Sequence, residues 1–365
     1  MGGPSNNLKR EELFFDRPAE LFASSPPELR GKARDDVRLM VSSLKGTTHH
    51  AFTDLPDLLT PGDLLVVNES ATLPASLPAR GRLGNIRLNL STKFSENLWA
   101  AEPRWSSEQP GPLPLQKDEL LYIGESRALL FQPYPGIPRL WLMHFDAPAS
   151  ELMARYGEPI HYSHTPAYPI ETYQTIFSRS PGSVEMPSAA RPVTPRIRDA
   201  LLGKGIGITG IILHAGVSSL EIETETVESQ VLCPESFRVP FATANAVNST
   251  HARGNRVIAV GTTVVRALET AWASDGLRAC AGSTSLYVHP GIGVHALDGL
   301  LTGFHDPVTS HLAMLSAIAG IDCVKGAYAE AVQHRYLWHE FGDSHLILRK
   351  PTREAFNLMK YSANN

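Results

Sequence analysis

Four polar residues stand directly after short apolar runs, and their side chains suit binding or acid–base chemistry. They are Asn68 after DLLVV, His214 after ITGIIL, Thr262 after VIAV and its glycine, and His305 after LLTGF. Apolar runs of this length predict buried strands. Because the carboxyl ends of parallel strands meet at one edge of a sheet, where α/β proteins bind ligands, we expect these residues to lie together. Taken singly, each is more typical of a satisfied buried side chain or a turn than of a functional group.

The stretch VIAVGTTVVRALETAW, from Val257 to Trp272, extends this pattern. A β-branched strand runs into Gly261, which permits a tight turn, and Thr262 or Thr263 is expected to cap the helix that follows. One interpretation makes Arg266 an ordinary salt-bridged residue. The other makes the helix N-terminus a site for a carboxylate or phosphate, with Arg266 as a further donor.

Two carboxylates complete the candidate site. Glu235 lies in CPESF and Asp343 follows Phe341 and Gly342, although periodicity does not place either of them. With His214 and His305 they are the predicted catalytic residues, since such groups exchange protons or stabilise charge. The predicted substrate-binding residues are Asn68, Gly261, Thr262, Thr263 and Arg266.

The elements that must position these residues alternate along the second half of the chain. Helical patterns are predicted over Pro148–Tyr156, Pro195–Leu202, Pro240–Ala252, the segment after Gly261, Ser310–Ala319 and Ala327–Tyr336, and strands over Leu64–Val67, Ile206–His214, Val257–Val260 and Leu286–His289, with a strand or turn near Leu300–Phe304. Such alternation predicts an α/β domain with a mixed, largely parallel sheet.

Residues 71–147 have a different character. Ile86, Leu88 and Leu90 alternate with polar residues, and further short apolar runs are separated by a Pro-rich loop, Pro103–Gln116. This pattern predicts a small all-β domain, a barrel or a sandwich, inserted into the chain. We therefore expect an α/β main domain formed by residues 1–70 and 148–365, and an all-β insert formed by residues 71–147.

Composition and the remaining motifs argue against several classes of protein and of binding site. The 365 residues carry a net charge of −4, which implies no general attraction to nucleic acid, and three separated cysteines indicate neither a disulfide framework nor a cysteine zinc site. The glycines of Gly205–Gly210 match G-x-G-x-x-G but follow a helix rather than a strand. His161 with His164, and His49 with His50, have no third ligand nearby in the sequence. We expect no metal, no membrane span and a cytoplasmic protein.

Several blocks together resemble a known family. They are LLTPGDLLVVNES, YQTIFS, GNRVIAVGTTVVRALETA, LLTGFHDP, LSAIAG and FGDSHLI, which occur in the family's order and cover nearly the whole chain. The chain is similar to the S-adenosylmethionine:tRNA ribosyltransferase-isomerases of queuosine biosynthesis. The resemblance implies an α/β main domain with an inserted all-β domain.

The resemblance also implies a reaction. The family transfers the ribosyl part of S-adenosylmethionine to the aminomethyl group of 7-aminomethyl-7-deazaguanine in tRNA, and releases adenine and methionine. The sulfonium acidifies the adjacent ribose hydrogens, so a positioned base suffices and no cofactor beyond the substrate is expected. The expected partners are S-adenosylmethionine and tRNA.

The polar blocks depart from the family pattern. Asn68–Ala71 reads NESA where the family has NDTR, Pro187–Val193 reads PSAARPV for PTAGLHF, and His214–Leu220 reads HAGVSSL for HVGAGTF. Gln230–Glu235 keeps only the carboxylate of the family's His-x-Met-His-x-Glu block. Two alternatives therefore stay open: a divergent relative that uses S-adenosylmethionine on a small-molecule acceptor, and a catalytically inactive protein that binds a nucleotide or tRNA.

Overall fold

The computed structural model describes residues 7–162, 165–217 and 221–349, and these contain nineteen strands and seven α-helices. The strands are β1 Arg38–Ser43, β2 Gly46–Ala51, β3 Leu64–Asn68, β4 Ser70–Thr72, β5 Ser76–Gly81, β6 Gly84–Lys93, β7 Leu98–Arg104, β8 Leu120–Ile123, β9 Ser126–Pro133, β10 Trp141–Phe145, β11 Ser180–Ser183, β12 Gly207–Leu213, β13 Glu235–Val239, β14 Val257–Val260, β15 Trp272–Ala273, β16 Gly276–Leu277, β17 Cys280–Thr284, β18 Gly299–Gly303 and β19 Ser344–Leu348. The helices are α1 Leu55–Leu58, α2 Ala149–Tyr156, α3 Pro195–Gly203, α4 Phe241–Ala252, α5 Thr262–Ala271, α6 Ser310–Ala319 and α7 Ile321–Gln333.

Nine strands form the main sheet, in the order β17-β13-β12-β3-β14-β18-β19-β1-β2. The four central strands β12, β3, β14 and β18 are parallel to one another. The neighbours β13 and β19 pair antiparallel with the outer two of these, whereas β1 and β19 are parallel. The expected mixed sheet with a parallel centre is confirmed.

Both faces of the sheet are covered, which explains the continuous apolar runs of its central strands. Val66 of β3 packs into one hydrophobic cluster with residues of α4, α5, α6 and α7. Its neighbours Leu65 and Val67 point to the opposite face and pack with residues of α1 and α3. Side chains therefore alternate between two cores, as strand geometry requires.

Strands β5 to β10 form a closed barrel in the order β10-β7-β6-β5-β8-β9. Its interior is filled by apolar side chains such as Leu88, Leu130 and Met143, which form a separate hydrophobic cluster. Closure removes the exposed sheet edges that an open sandwich would leave. The barrel-like insert is confirmed, and its strands lie within residues 71–147; the division of the chain into domains at those limits stays a prediction.

Two local predictions were wrong. Leu286–His289 forms no strand; the strand here is β17, which ends at Thr284. Tyr287 and Val288 are buried in the larger core without pairing in a sheet, so their apolar pattern records burial and not strand formation. The helix expected over Ala327–Tyr336 is α7, which begins at Ile321 and ends at Gln333.

Among the described residues, no single helix is long and apolar enough to cross a membrane. Helices α6 and α7 meet that test only as a pair, and the chain bends by 116° between them.

Candidate active site

The predicted site residues lie along one edge of the main sheet. Asn68, His214, Gly261 and His305 are at or just beyond the carboxyl ends of the four parallel strands. Because the antiparallel strands β13 and β19 begin where those strands end, Glu235 and Asp343 are at the same edge. The fold thus places side chains from six separate segments of the chain along one edge.

A cavity of about 340 Å³ opens at this edge, between the sheet and the segments that flank the barrel. This volume lies within the range of about 300–1,000 Å³ that is typical of small-molecule sites. The predicted residues that line it are Gly261, Thr262, Thr263 and His305. The lining also includes Arg139, Tyr162, Glu185, Ser188, Thr302, His311, His339 and Glu340.

Gly261 makes the turn between β14 and α5. Its φ of +100° lies in the region that favours glycine, and its N–H donates to the Leu301 carbonyl at 2.8 Å. The expectation that Thr262 or Thr263 caps the helix was wrong, because Gly261 itself is the N-cap and no side chain caps α5. The N–H groups of Val264 and Val265 donate to the Gly261 carbonyl, whereas those of Thr262 and Thr263 have no acceptor among the described residues and can bind an anion at the cavity wall.

Arg266 does not line this cavity. Its guanidinium is 4% exposed, forms an ion pair with Glu235, and donates to the carbonyl oxygens of Leu286 and Thr284 at 3.0 and 3.1 Å. Glu235 is 1% exposed and also accepts from the Gly216 N–H at 2.7 Å. The pair joins α5 to β13, and a substrate would have to displace these bonds to reach either group. The binding role of Arg266 and the catalytic role of Glu235 stay predictions.

Asn68 has a structural position as well. Its amide donates to the Leu213 carbonyl at 2.8 Å and to Thr263 Oγ1 at 3.2 Å, and its oxygen accepts from the N–H groups of Leu213 and Ser70. The side chain is 1% exposed. Asn68 therefore links β3, β12 and α5 and does not line the cavity, and its role as a substrate ligand stays a prediction.

His214 is half-buried next to a short chain of hydroxyls. Its Nδ1 lies 2.8 Å from Ser70 Oγ, and Ser183 Oγ donates to that hydroxyl at 2.7 Å. Burial lowers the pKa of His214, and the charges of Lys93 and Arg238 lower it further. The imidazole is thus held neutral and oriented, but outside the cavity wall, and its catalytic role stays a prediction.

Asp343 supports the neighbouring loop. Its carboxylate accepts from the backbone N–H groups of Arg38 and Leu337, each at 2.8 Å, and pairs with the Arg38 guanidinium at 2.9 Å. The side chain is 6% exposed. These bonds hold the segment before β19 against β1, which gives Asp343 a structural role; its catalytic role stays a prediction.

Two histidines share the cavity wall. The rings of His305 and His311 have centroids 4.5 Å apart, and His305 Nε2 lies 2.8 Å from Thr302 Oγ1. Burial lowers the pKa of His305 well below its usual value, and His311 contributes to that shift. Burial also lowers the pKa of His311 to about 4, with a contribution from the charge of Arg266. Both imidazoles are therefore neutral at physiological pH.

Glu340 has the opposite perturbation. Burial raises its pKa to about 8, the nearby Glu185 adds to the shift, and Arg191 opposes it. Its Oε1 lies 3.9 Å from His339 Nδ1. Glu185 accepts a hydrogen bond from the Tyr162 hydroxyl at 2.6 Å. The cavity thus holds a carboxylic acid that is largely protonated at neutral pH beside neutral imidazoles, an arrangement typical of acid–base sites.

Arg139 provides the cationic group of the cavity. Its Nη1 pairs with Glu102 Oε1 at 3.3 Å, and its side chain is 25% exposed. Its Nε and Nη2 have no hydrogen-bond partner among the described residues. Both nitrogens are buried beside the cavity, and a guanidinium with unpaired donors there is suited to bind a carboxylate or phosphate.

Sequence reasoning missed Arg139, Glu185 and Glu340. Arg139 precedes an ordinary strand and had no distinguishing pattern. The two carboxylates stood close to blocks already noted, since Glu185 is two residues before Pro187–Val193 and Glu340 directly precedes Phe341. Only their burial around a common cavity marks them.

One departure from the family pattern has a clear structural consequence. Arg191, where the family has leucine, is 2% exposed and pairs with Glu28 at 3.0 Å. Its guanidinium lies 5.0 Å from the ring centroid of Phe341, the residue that follows Glu340. The positive charge of Arg191 therefore acts on Glu340, whose pKa it lowers. Ser218–Leu220 and His164, also noted in the sequence, lie outside the described residues.

Comparisons with known proteins agree with this architecture. A family model described as queuosine biosynthesis protein matches residues 10–347. The S-adenosylmethionine:tRNA ribosyltransferase-isomerase of Moorella thermoacetica is 35% identical over 352 residues, which cover 93% of this chain and 100% of the relative. The Thermotoga maritima protein of the same name is 34% identical over 93% of this chain and 100% of its own length.

A solved structure is also similar. The crystal structure of S-adenosylmethionine tRNA ribosyltransferase from Thermotoga maritima aligns with a TM-score of 0.53 and 29% identity, over 92% of this chain and 100% of that one. The comparisons do not favour either alternative function.

Proposed function

This chain belongs to the queuosine biosynthesis protein family, and we propose that it is an S-adenosylmethionine:tRNA ribosyltransferase-isomerase. In this reaction the ribosyl moiety of S-adenosylmethionine is transferred to the aminomethyl group of 7-aminomethyl-7-deazaguanine in tRNA and isomerised, with release of adenine and methionine. The observation that carries the proposal is the cavity at the sheet edge, in which an anion site and oppositely perturbed acid–base groups occur together. We propose a cytoplasmic location for this reaction.

Substrate binding is assigned to the two anion-binding features of the cavity. The spare donors of Arg139 suit the methionine carboxylate, and the uncapped N-terminus of α5 at Thr262 and Thr263 suits another anionic or hydroxyl group of the substrate. In this proposal Arg139 is the guanidinium that contacts the substrate, and the helix terminus expected from the sequence remains part of the site.

Acid–base roles follow from the opposite pKa shifts. His305 is neutral at physiological pH and therefore has a lone pair for the ribose C5′ proton that the sulfonium acidifies. Glu340, with a pKa of about 8, holds a proton that it can donate to the departing adenine. Once the bond from the ribosyl group to adenine has broken, the substrate amine bonds to the ribosyl group and gives up a proton. A ribose oxygen then displaces methionine as the C–S bond breaks. The sulfonium supplies the activation, so this scheme calls for no redox cofactor or metal.

Product analysis tests the assignment directly. The protein is mixed with S-adenosylmethionine and either tRNA carrying the aminomethyl base, the same tRNA with guanine at that position, or the free base. We expect adenine and methionine to appear, and the tRNA mass to rise, only with the modified tRNA. Adenine release with the free base alone would instead favour a small-molecule acceptor, and substrate binding without release would indicate an inactive binding protein.

Arg139→Gln tests the anion site. Loss of a charged hydrogen bond costs about 1.5–3 kcal/mol, so the KM for S-adenosylmethionine should rise by about 10-fold or more. The matched control is Arg82→Gln, which changes an exposed arginine elsewhere on the barrel that is paired with Glu119. Equal KM values for both variants would remove Arg139 from the proposed binding site.

A further inference from the structure

A second cluster of chemically competent side chains lies away from the cavity. His49 of β2, Glu330 of α7 and His334, which directly follows α7, have ligand atoms that all lie within 4.8 Å of one another. We propose that these three residues bind a divalent transition-metal ion, with Zn²⁺ as the best fit. The site shares no residue with the cavity and is independent of the proposed function.

The fold brings together metal ligands that are far apart in the sequence. His49 with its neighbour His50 had no nearby third ligand, and no metal was expected. In the structure, β2 is the terminal strand of the main sheet, and the end of α7 lies beside it. Glu330 and His334 are four residues apart at the end of that helix, so both side chains project from one face.

The three groups are already in mutual contact. His49 Nε2 lies 2.9 Å from Glu330 Oε1, and the rings of His49 and His334 are stacked with centroids 4.1 Å apart. An ion between them replaces the His49–Glu330 hydrogen bond with metal bonds, after a rotation of the two exposed rings. Small rotations of this kind are accessible because the His49 side chain is 31% exposed and His334 is exposed as well.

A supporting hydrogen bond orients one ligand. His49 Nδ1 lies 2.8 Å from the hydroxyl of Tyr336, whose ring is buried. In the tautomer that is protonated at Nδ1, the imidazole donates to this hydroxyl and presents the Nε2 lone pair to the ion. Metal-binding histidines usually have such a partner on the second nitrogen.

The surrounding charge does not oppose a cation strongly. Arg38 lies 4.2 Å from the Tyr336 ring centroid and donates to the His334 backbone carbonyl at 2.8 Å, and its charge is paired with Asp343 at 2.9 Å. Arg335 pairs with Glu20 at 3.6 Å. The carboxylate of Glu330 is therefore available to offset the charge of the ion.

The donor set indicates the class of metal. Two imidazoles and one carboxylate suit zinc and its first-row neighbours, whereas magnesium and calcium prefer oxygen ligands. Three protein ligands leave one tetrahedral position for water. The expected effect is structural, because the ion joins the exposed edge strand to the end of α7 and covers part of the sheet edge.

Calorimetric titration of the chelator-treated full chain with Zn²⁺ tests the site, in a Cys323→Ser background that removes an exposed thiol. We expect one ion per chain and a visible absorption band of tetrahedral Co²⁺ when that metal is used instead. His49→Ala and His334→Ala should each remove the calorimetric site, and Tyr336→Phe should weaken it by about 10-fold. His50→Ala, which changes the neighbouring residue bonded to Thr48, should leave it unchanged.

Several outcomes would overturn the proposal: no saturable binding of Zn²⁺ by the wild-type chain, equal affinity in His49→Ala and wild type, or an equal loss in His50→Ala. Circular dichroism of each variant separates a lost ligand from a lost fold. Because Tyr336→Phe retains the buried ring, its weaker binding with an unchanged melting temperature in the absence of metal would identify the hydroxyl as a positioning group.

Discussion

Replacing Glu340 by glutamine is expected to make the protein more stable and less active at neutral pH. The carboxyl lines the cavity, and its pKa rises from 4.5 to about 8 because of burial first and the charge of Glu185 second. In the unfolded chain the same group is ionised at pH 7. Folding at neutral pH therefore forces this carboxyl to take up a proton, which costs free energy that a neutral amide avoids.

The size of the effect follows from the shift. Between pH 4.5 and pH 7 the unfolded group loses its proton while the folded group keeps it, at about 1.4 kcal/mol per pH unit, or about 3 kcal/mol in total. Glu340 is an acid whose pKa is higher in the folded than in the unfolded chain. The stability of the wild type is therefore unaffected by this group below pH 4.5 and falls progressively as the pH rises to about 8. Because the side chain is 19% exposed, solvent screening reduces the gain of the variant to about 2–3 kcal/mol.

Urea unfolding of both proteins, at about pH 5 and about pH 7.5, measures this difference. We expect the stability gain of Glu340→Gln to be much larger at the higher pH, and its kcat to fall by about 100-fold or more through loss of the proton donor. Glu151→Gln, at an exposed carboxylate of α2, is the matched control. A gain that does not change with pH, or a variant less stable than the wild type at both, would refute the assignment of a protonated Glu340.

Two further substitutions test the structural roles of buried groups. Arg266→Ala leaves Glu235 buried without its partner, so urea unfolding should show a loss of about 3–5 kcal/mol, while calorimetry should show little change in S-adenosylmethionine affinity of the folded protein; a stable variant with weakened affinity would return Arg266 to the substrate site. His345 is 1% exposed, and its Nε2 lies 2.8 Å from Ser42 Oγ. Burial lowers its pKa to about 3, so the wild type should lose stability as the pH falls from 6.5 towards that value. His345→Asn should flatten this slope by about 1.4 kcal/mol per pH unit, and an unchanged slope in acid titrations would show that another group is responsible.

Local sequence patterns determined much of the fold. Val257–Val260 and Ser310–Ala319 form a strand and a helix with the bounds read from the sequence, because β-branched runs and helical periodicity act over a few residues. The alternation of such elements was sufficient to predict the mixed sheet. The period of two in residues 86–90, with the further short apolar runs and the Pro-rich loop of residues 71–147, was sufficient to predict an all-β insert. Leu286–His289 was misread because burial alone produces the same apolar pattern.

The sequence was also sufficient to predict which edge of the sheet carries the candidate site, because parallel strands bring their carboxyl ends together whatever their loops contain. Gly261, Thr262, Thr263 and His305 line the cavity for this reason.

Only the tertiary structure decided which charged groups pair with one another and which keep donors without a partner. Arg266 and Arg139 look alike in the sequence, but the first is buried against Glu235 and two carbonyl oxygens, and the second keeps two donors without partners among the described residues. The raised pKa of Glu340 likewise depends on burial and on Glu185, which is remote in the chain. Ionisation and hydrogen bonding depend on distances of a few ångströms between such segments, and no local pattern encodes those distances.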